Sequence, residues 1–274
     1  MSIIGTIVGD VIGSRFERKA VPRELETLDL ITQDSKFSDD TVLTLATADV
    51  IFNRAYDGDY AKAYRDYYAK YPNRCYGGMF IRWAKNEYAG PYGSFGNGSA
   101  MRISPIIDKY TWDWHSIEKE VVKSASVTHN HPEGIKGATA LASMIWYAKT
   151  KHREAVSKTL LEIKRLAESV YSYDINAGPP ERFDCTCQGT VPLAIKAVVE
   201  STDFDSCMRK CISFGGDVDT IAAMAGGIAA ELWEIPSDLY VKTVHALGQD
   251  GILKPFKAEQ NLLKQKKEKK EKEL

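Results

Sequence analysis

The sequence predicts an all-α protein, and three observations carry that expectation. Apolar residues recur at helical spacing through most of the chain, no run shows the strict alternation of a half-buried strand, and Gly and Pro clusters separate the periodic runs. The first run, Met1 to Gly13, is apolar enough to suggest a secretion leader. No basic residue precedes it and Asp10 interrupts it, so it is read as the first buried helix. Asp39 to Asn53 follows the polar stretch Thr32 to Lys36, and either Ser38 or Asp39 suits its N-cap. Asp59 to Tyr71 places Tyr60, Tyr64, Tyr67 and Tyr71 in one helical stripe, which reads as packing rather than as a cofactor site. Ser116 to Ser126, Gly134 to Lys149, Glu154 to Val170 and Cys187 to Glu200 continue the pattern. In Thr220 to Trp233 the small residues Ala222, Ala223, Ala225, Gly226, Gly227, Ala229 and Ala230 leave almost no bulk. Two interior glycines cost roughly 1 kcal/mol each against alanine, so this helix is expected at the crowded centre of a bundle.

The intervening clusters, Tyr71-Pro72-Asn73, Ala89 to Gly93, Ala177 to Pro180 and Ile235-Pro236-Ser237, are loops, and none has the composition of an interdomain linker. One domain over 1–258 is expected, followed by a charged Lys/Glu-rich tail over 259–274 that lacks apolar anchors. The tail is either a frayed solvated helix or disordered.

Composition limits the function. The chain has 274 residues, is 44% hydrophobic and 27% charged, and carries a formal charge of -1. Removing the six Lys and three Glu between Lys264 and Glu273 leaves about -4 for the body. That balance argues against nucleic-acid backbones and anionic membranes as partners, while a single small anion held by backbone amides stays compatible with it. No apolar run is long enough to cross a bilayer. Five cysteines, Cys75, Cys185, Cys187, Cys207 and Cys211, are an odd number without a zinc-site framework. Reduced, idle thiols in a cytoplasmic monomer are the expectation.

Two acidic motifs stand apart. Ser38-Asp39-Asp40-Thr41 opens one helix, and Gly215-Gly216-Asp217-Val218-Asp219-Thr220 opens another far along the chain. Each offers two carboxylates and a hydroxyl where a loop becomes a helix, a donor set suited to hard divalent cations. Four Asp carboxylates converging from two helix starts would repel one another unless cations lay between them. Spacing alone leaves two readings open, a two-metal hydrolytic site and unrelated helix caps.

Further segments extend the pattern. Gly9-Asp10-Val11-Ile12-Gly13-Ser14-Arg15-Phe16-Glu17, then Ser38 to Thr41, then Tyr92-Gly93-Ser94-Phe95-Gly96-Asn97-Gly98-Ser99-Ala100-Met101-Arg102, then Val127-Thr128-His129-Asn130-His131-Pro132, then Gly215 to Thr220, resemble the ADP-ribosylglycohydrolase family in order. The resemblance runs from Gly5 to about Trp233. It implies a compact orthogonal helical bundle and a metal-dependent glycosidase that releases ADP-ribose from an N- or O-linked, ADP-ribosylated substrate, with protein as the expected carrier.

The resemblance also assigns residues. Two divalent cations, Mg2+ with Mn2+ as the alternative, are implied at Ser38, Asp39, Asp40, Asp217, Asp219 and Thr220, where Ser38 replaces a more frequent Thr. Glu17, Asp40 and Asp217 are the implied catalytic carboxylates. Ser94, Phe95, Gly96, Asn97, Gly98, Ser99, Met101 and His129 are the implied ligand contacts. Phe95 keeps an aromatic face where relatives often carry Tyr, and a helix beginning near Ser99 is expected to offer its N–H groups to a pyrophosphate. Gly77 and Gly78, beside Tyr76, are a further candidate stretch near the ligand, and His131 has weaker support than His129. Two rivals stay open, a non-catalytic ADP-ribose-binding module and a metal phosphohydrolase that cuts the pyrophosphate.

Overall fold

The computed structural model describes residues 1–53, 56–151 and 154–248. The expected charged tail, with the last residues of the expected domain, lies outside the described residues. Among those described, twelve α-helices build the protein and no strand forms. The only β-type pairing among them is an isolated antiparallel bridge between Gly96 and Thr186.

Two helices make the centre. α1 (Ser2–Gly13) is buried along its whole length, as is the following partner Val218–Leu232 from Val218 to Ala230. On α1 the glycines Gly5, Gly9 and Gly13 recur every four residues and form one flat ridge. A Cβ on Gly5 would lie 2.1 Å from the Gly226 carbonyl oxygen, and one on Gly9 would lie 2.0 Å from that of Ala222. At Gly13 the nearest atom would be Asp219 Cα at 2.4 Å. The two backbones therefore touch, which explains the small-residue composition of the later helix. The contact also delivers Asp10 of α1 to the N-terminal end of its partner.

The other helices pack around that pair. α2 (Asp39–Ala48) lies against α1 and against α3 (Tyr60–Lys70), which in turn meets the short α4 (Gly78–Ala84). α5 (Ser104–Tyr110) also covers α1, while α6 (Trp114–Ser126) packs on α7 (Pro132–Thr150). α8 (Val156–Ser169), α9 (Cys187–Val199) and α10 (Phe204–Phe214) follow, with α7, α9 and α10 all contacting the central α11 (Val218–Leu232). α12 (Ser237–Gly248) closes the described chain against α1.

Local sequence accounts for the starts. Side chains of Ser38, Asp59, Asp113, His131, Thr186 and Asp203 each accept a hydrogen bond from a backbone N–H in the first turn that follows. Gly215 and Gly216, at φ 67° and 75°, carry the chain through two left-handed positions into α11. The tyrosine stripe is packing, since Tyr60, Tyr64, Tyr67 and Tyr71 are all buried.

Some expectations need correction. The run Asp39 to Asn53 is two elements, α2 and a π-helical turn over Asp49–Asn53. Three helices, α4, α10 and α12, were not expected, and the helix expected near Ser99 is α5, with a later start. α4 and α5 are seven residues each, too short to display a period. No long helix begins at Ser99; a single 3-10 turn spans Asn97–Ser99, and α5 starts only at Ser104.

Candidate active site

The starts of α2 and α11 converge beside the C-terminal half of α1. Ser38 caps α2, its hydroxyl accepting from Asp40 N at 3.1 Å and lying 3.0 Å from Asp40 Oδ2, to which it donates. Across the junction the Thr220 hydroxyl donates to the same Asp40 Oδ2 at 3.2 Å. Asp10 is fully buried and supports the α2 start from behind: its Oδ2 accepts from Ser38 N at 2.9 Å, from Thr41 N at 3.1 Å and from the Thr41 hydroxyl.

Two carboxylate groups result. One oxygen each from Asp10, Asp40 and Asp219 lies within 4.8 Å of the others, and Glu17, Asp217 and Asp219 form a second such set. Asp219 belongs to both. Asp39, half-buried, lines the adjoining cleft with Asp217, Asp219, Thr220 and Glu17. The structure thus brings together all six of the residues assigned to metal and all three assigned to catalysis.

The electrostatics of this cluster are unfavourable on their own. Burial first, and then the neighbouring carboxylates, push Asp39, Asp40 and Asp219 well above the ordinary carboxylate range. Burial also raises Asp10 and Asp217, though hydrogen bonds from Thr41 and Ser38 to the first, and from Asn97 to the second, pull the other way. Asp10 Oδ1 and Asp40 Oδ1 are buried and have no partner. A buried, unpaired carboxylate oxygen is costly, and a hard cation with oxygen preference supplies both the missing partner and the compensating charge. The residues present fit divalent cations.

The cleft above the carboxylates encloses about 290 Å³. Ser94, Gly96, Asn97, Gly98, Met101 and His129 line it, as do Gly77 and Gly78 from the start of α4. Gly96 N donates to the Ser94 hydroxyl at 3.1 Å, and Asn97 N donates to the Cys185 carbonyl at 2.8 Å. The N–H of Gly98, in the first turn of the short 3-10 segment, falls outside that turn's own bonding. Asn97 is buried, and its side-chain amide donates to Asp217 Oδ2 at 2.7 Å and to the Thr190 hydroxyl at 3.2 Å. It fastens the glycine loop to the second acidic motif.

Two of the candidate contacts do not line the cleft. Ser99 is fully buried and its hydroxyl donates to the Gly134 carbonyl at 2.7 Å, so its side chain braces the loop from behind. Phe95 is 43% exposed and its ring sits 5.3 Å from that of His131. His131 itself caps α7, accepting from Glu133 N at 3.1 Å.

Sequence reasoning missed several residues of the cleft. Asp10, beneath the cleft with Asp40 and Asp219, was noted as a charge inside an apolar helix and as part of the Gly9 to Glu17 motif, without a role of its own. Arg18, Cys75, Tyr92, Arg102, Phe183 and Cys185 line the cleft; Tyr92 and Arg102 fell at the two ends of the glycine-loop motif without a role being assigned, and no pattern distinguished the other four. All five cysteines are unpaired, Cys75 and Cys185 being exposed and the other three buried. Metal-compatible groups among the described residues are formed by carboxylates and contain no cysteine.

Fold and cleft together define an all-helical protein with a carboxylate-rich, cation-compatible centre beneath a glycine-loop rim. The chain belongs to the ADP-ribosylglycohydrolase family, whose model matches residues 1–269, and membership places it among hydrolases of ADP-ribose linkages. It is 24% identical over 305 residues to ADP-ribosylhydrolase ARH3 of Gallus gallus, the match covering 83% of each chain. It is also 24% identical over 264 residues to ADP-ribosylarginine hydrolase Tri1 of Pseudomonas putida, covering 85% of this chain and 70% of that one. A solved ADP-ribosylglycohydrolase-related protein complex shares the fold at a TM-score of 0.68 and 22% identity, over 91% of this chain and 96% of the other.

Proposed function

We propose that this protein is a Mg2+-dependent hydrolase, with Mn2+ as the alternative ion, that frees ADP-ribose from an ADP-ribosylated protein. The observation that carries the reading is the pair of carboxylate groups sharing Asp219 on the floor of the cleft. Ser38, Asp39, Asp40, Asp217, Asp219 and Thr220 would hold two cations there. When bound, such ions supply Lewis acidity toward sugar oxygens and lower the pKa of a coordinated water.

The chain's own groups divide the remaining work. The loop from Ser94 to Gly98, with Met101 and His129, receives the ADP-ribose moiety, and exposed Phe95 offers an aromatic face to its base. Asn97 keeps that loop in register with Asp217. Glu17 is the partly exposed member of its carboxylate group, its side chain at 23% exposure and 3.2 Å from Arg18 Nε. That position suits it to pass a proton to the departing atom at the cleft mouth. With cations bound to offset their burial, Asp40 and Asp217 would carry charge and stabilise the positive charge that develops on the anomeric carbon. The five unpaired thiols accord with a cytoplasmic location, and a monomer suffices because one chain contributes every group.

The test is direct. The protein is incubated with Mg2+ and, separately, with ADP-ribosyl-arginine, ADP-ribosyl-serine and O-acetyl-ADP-ribose, and free ADP-ribose is followed with and without chelator. Release from one of them that chelator abolishes is the expected result. ADP-ribose binding without release from any would replace this reading by a binding module, and AMP as product would replace it by a phosphohydrolase.

A further inference from the structure

A buried cation stands behind His129. Arg102 is 0% exposed, and none of the ion pairs among the described residues includes it. Its Nη2 donates to the Ser124 carbonyl at 2.8 Å and to the Thr128 hydroxyl oxygen at 2.9 Å, while its guanidinium carbon sits 4.1 Å from the centre of the Tyr64 ring. That same Thr128 oxygen lies 2.7 Å from His129 Nδ1.

Hydrogen-bond valence sets the direction of this relay. A guanidinium has donors only, so the Thr128 oxygen accepts from Arg102. The hydroxyl keeps one hydrogen to give, and the nearest strong acceptor is the lone pair of Nδ1. An Nδ1 that accepts leaves the imidazole hydrogen on Nε2. The opposite tautomer would turn an Nδ1–H dipole toward an oxygen already polarised by a cation. Tyr92 also bonds Thr128, but its phenol oxygen is a weaker acceptor than an imidazole nitrogen.

The other end of the ring faces the loop. A Cβ on Gly98 would come within 3.1 Å of His129 Nε2, and one on Gly96 within 3.6 Å. Glycine at both positions leaves that nitrogen access to whatever the cleft holds. We propose that Arg102 is a positioning residue: through the Thr128 hydroxyl it fixes His129 as the Nε2–H tautomer and aims that N–H across the Gly96–Gly98 turn at an oxygen of the bound ligand. On the functional reading above, on which the ligand's identity rests, that oxygen belongs to the diphosphate or a ribose of ADP-ribose. Burial first, and then the charge of Arg102, hold His129 well below its ordinary pKa, so it remains a neutral single donor.

The tautomer can be read without any ligand. In the full chain labelled with 15N-histidine, long-range 1H–15N correlation should show a protonated-type Nε2 and an unprotonated-type Nδ1 for His129, assigned by the loss of its signals in His129→Gln. Thr128→Val, close in shape but without the hydroxyl, should give averaged nitrogen shifts and an ADP-ribose affinity lower by about tenfold, the scale of one hydrogen bond to a charged group. Thr128→Ser should restore both, and Tyr92→Phe should keep the tautomer. A protonated Nδ1 in the wild type, or wild-type shifts in Thr128→Val, overturns the relay. Failure of the wild type to bind ADP-ribose at all would instead remove the functional reading and the ligand half of this inference, the nitrogen shifts still deciding the relay itself.

Discussion

The Thr220 hydroxyl donates to Asp40 Oδ2 at 3.2 Å, a bond that joins the two acidic motifs across 180 residues of sequence. Its acceptor belongs to a set of buried carboxylates that desolvation and mutual repulsion push upward. A group with a raised folded-state pKa binds its proton more tightly in the native than in the unfolded chain. Its contribution to stability is therefore full below the unfolded value of about 4 and is lost as pH rises through the raised folded value. Cations compete with those protons. The gain in Tm on adding Mg2+ is thus expected to be small near about pH 5 and to grow toward about pH 8. Asp219→Asn should raise the Tm in chelator and remove most of the Mg2+ response. Differential scanning fluorimetry across pH checks both, and a Mg2+ response that does not vary with pH would count against cation binding at these groups.

Gly9 meets the Ala222 carbonyl so closely that a methyl group has no room, its Cβ falling 2.0 Å from that oxygen. Backbone atoms cannot turn aside as a flexible side chain can. Gly9→Ala is expected to cost about 3 kcal/mol, the upper range of overpacking penalties, in a urea titration. It should also weaken Mg2+ binding, because Asp10 follows Gly9 and would move away from Asp219. An alanine variant as stable as the wild type would show that the two central helices separate more readily than their contact implies.

This contact also shows where sequence stopped being informative. The acidic motifs could be read because each concentrates carboxylates at a helix start, so local pattern and chemistry coincide. Asp10 could not be read that way, since one acid in an apolar helix acquires meaning only when α1 and α11 cross. Gly5, Gly9 and Gly13 had the spacing of a packing ridge, yet only the facing helix turns spacing into contact. Arg102 is charged and would pass for a surface residue, although the fold buries it completely. α10 was missed although Phe204, Cys207, Met208, Cys211 and Ile212 recur at helical spacing on its buried face, and the capping box of Asp203 and Ser206 was a legible start signal. The Ser94–Gly98 loop was singled out by its motif, but its side chains were not separable: Ser94 lines the cleft, Ser99 faces the interior, and Asn97 turns inward to Asp217.

Away from the cleft, Lys149 joins three helices by reaching Asp108 at 2.5 Å and Glu231 at 3.0 Å, with Asp108 at 3% side-chain exposure. Burial would raise Asp108, but the N-terminal amine and Lys149 outweigh it and hold its carboxyl well below the ordinary range. Lys149 is itself raised: burial opposes its charge, and Asp108 and Glu231 overcome that opposition. The stabilisation from Asp108 is present above its unfolded value of about 4 and is lost as pH falls through the depressed one. Lys149→Met would leave two buried carboxylates short of a partner, with an expected cost of about 3 to 5 kcal/mol at neutral pH. That penalty should shrink in acid as Asp108 takes up a proton. Equal losses at neutral and acidic pH, in paired denaturant titrations, would assign the effect to packing of the lysine stem instead.

Gly98 offers the sharpest separation of site from scaffold. Its added Cβ would lie 3.1 Å from His129 Nε2 and 3.2 Å from Cε1, so Gly98→Ala must displace the imidazole by a few tenths of an ångström. Gly77 lines the same cleft with no atom within 4 Å of an added Cβ, so Gly77→Ala fits without displacing a neighbour. Neither substitution adds charge or opens a core cavity, and both should leave Tm within about 2 °C of the wild type. Their effects on ligand are expected to differ. Moving His129 removes one aligned donor and should weaken ADP-ribose binding about tenfold, whereas a methyl at Gly77 should change it by less than about threefold. Calorimetric titration of ADP-ribose into both variants makes the comparison. Equal, small effects would mean that His129 does not direct its Nε2 at the ligand, and a large effect at Gly77 alone would move the ligand toward α4 and away from the Gly96–Gly98 turn.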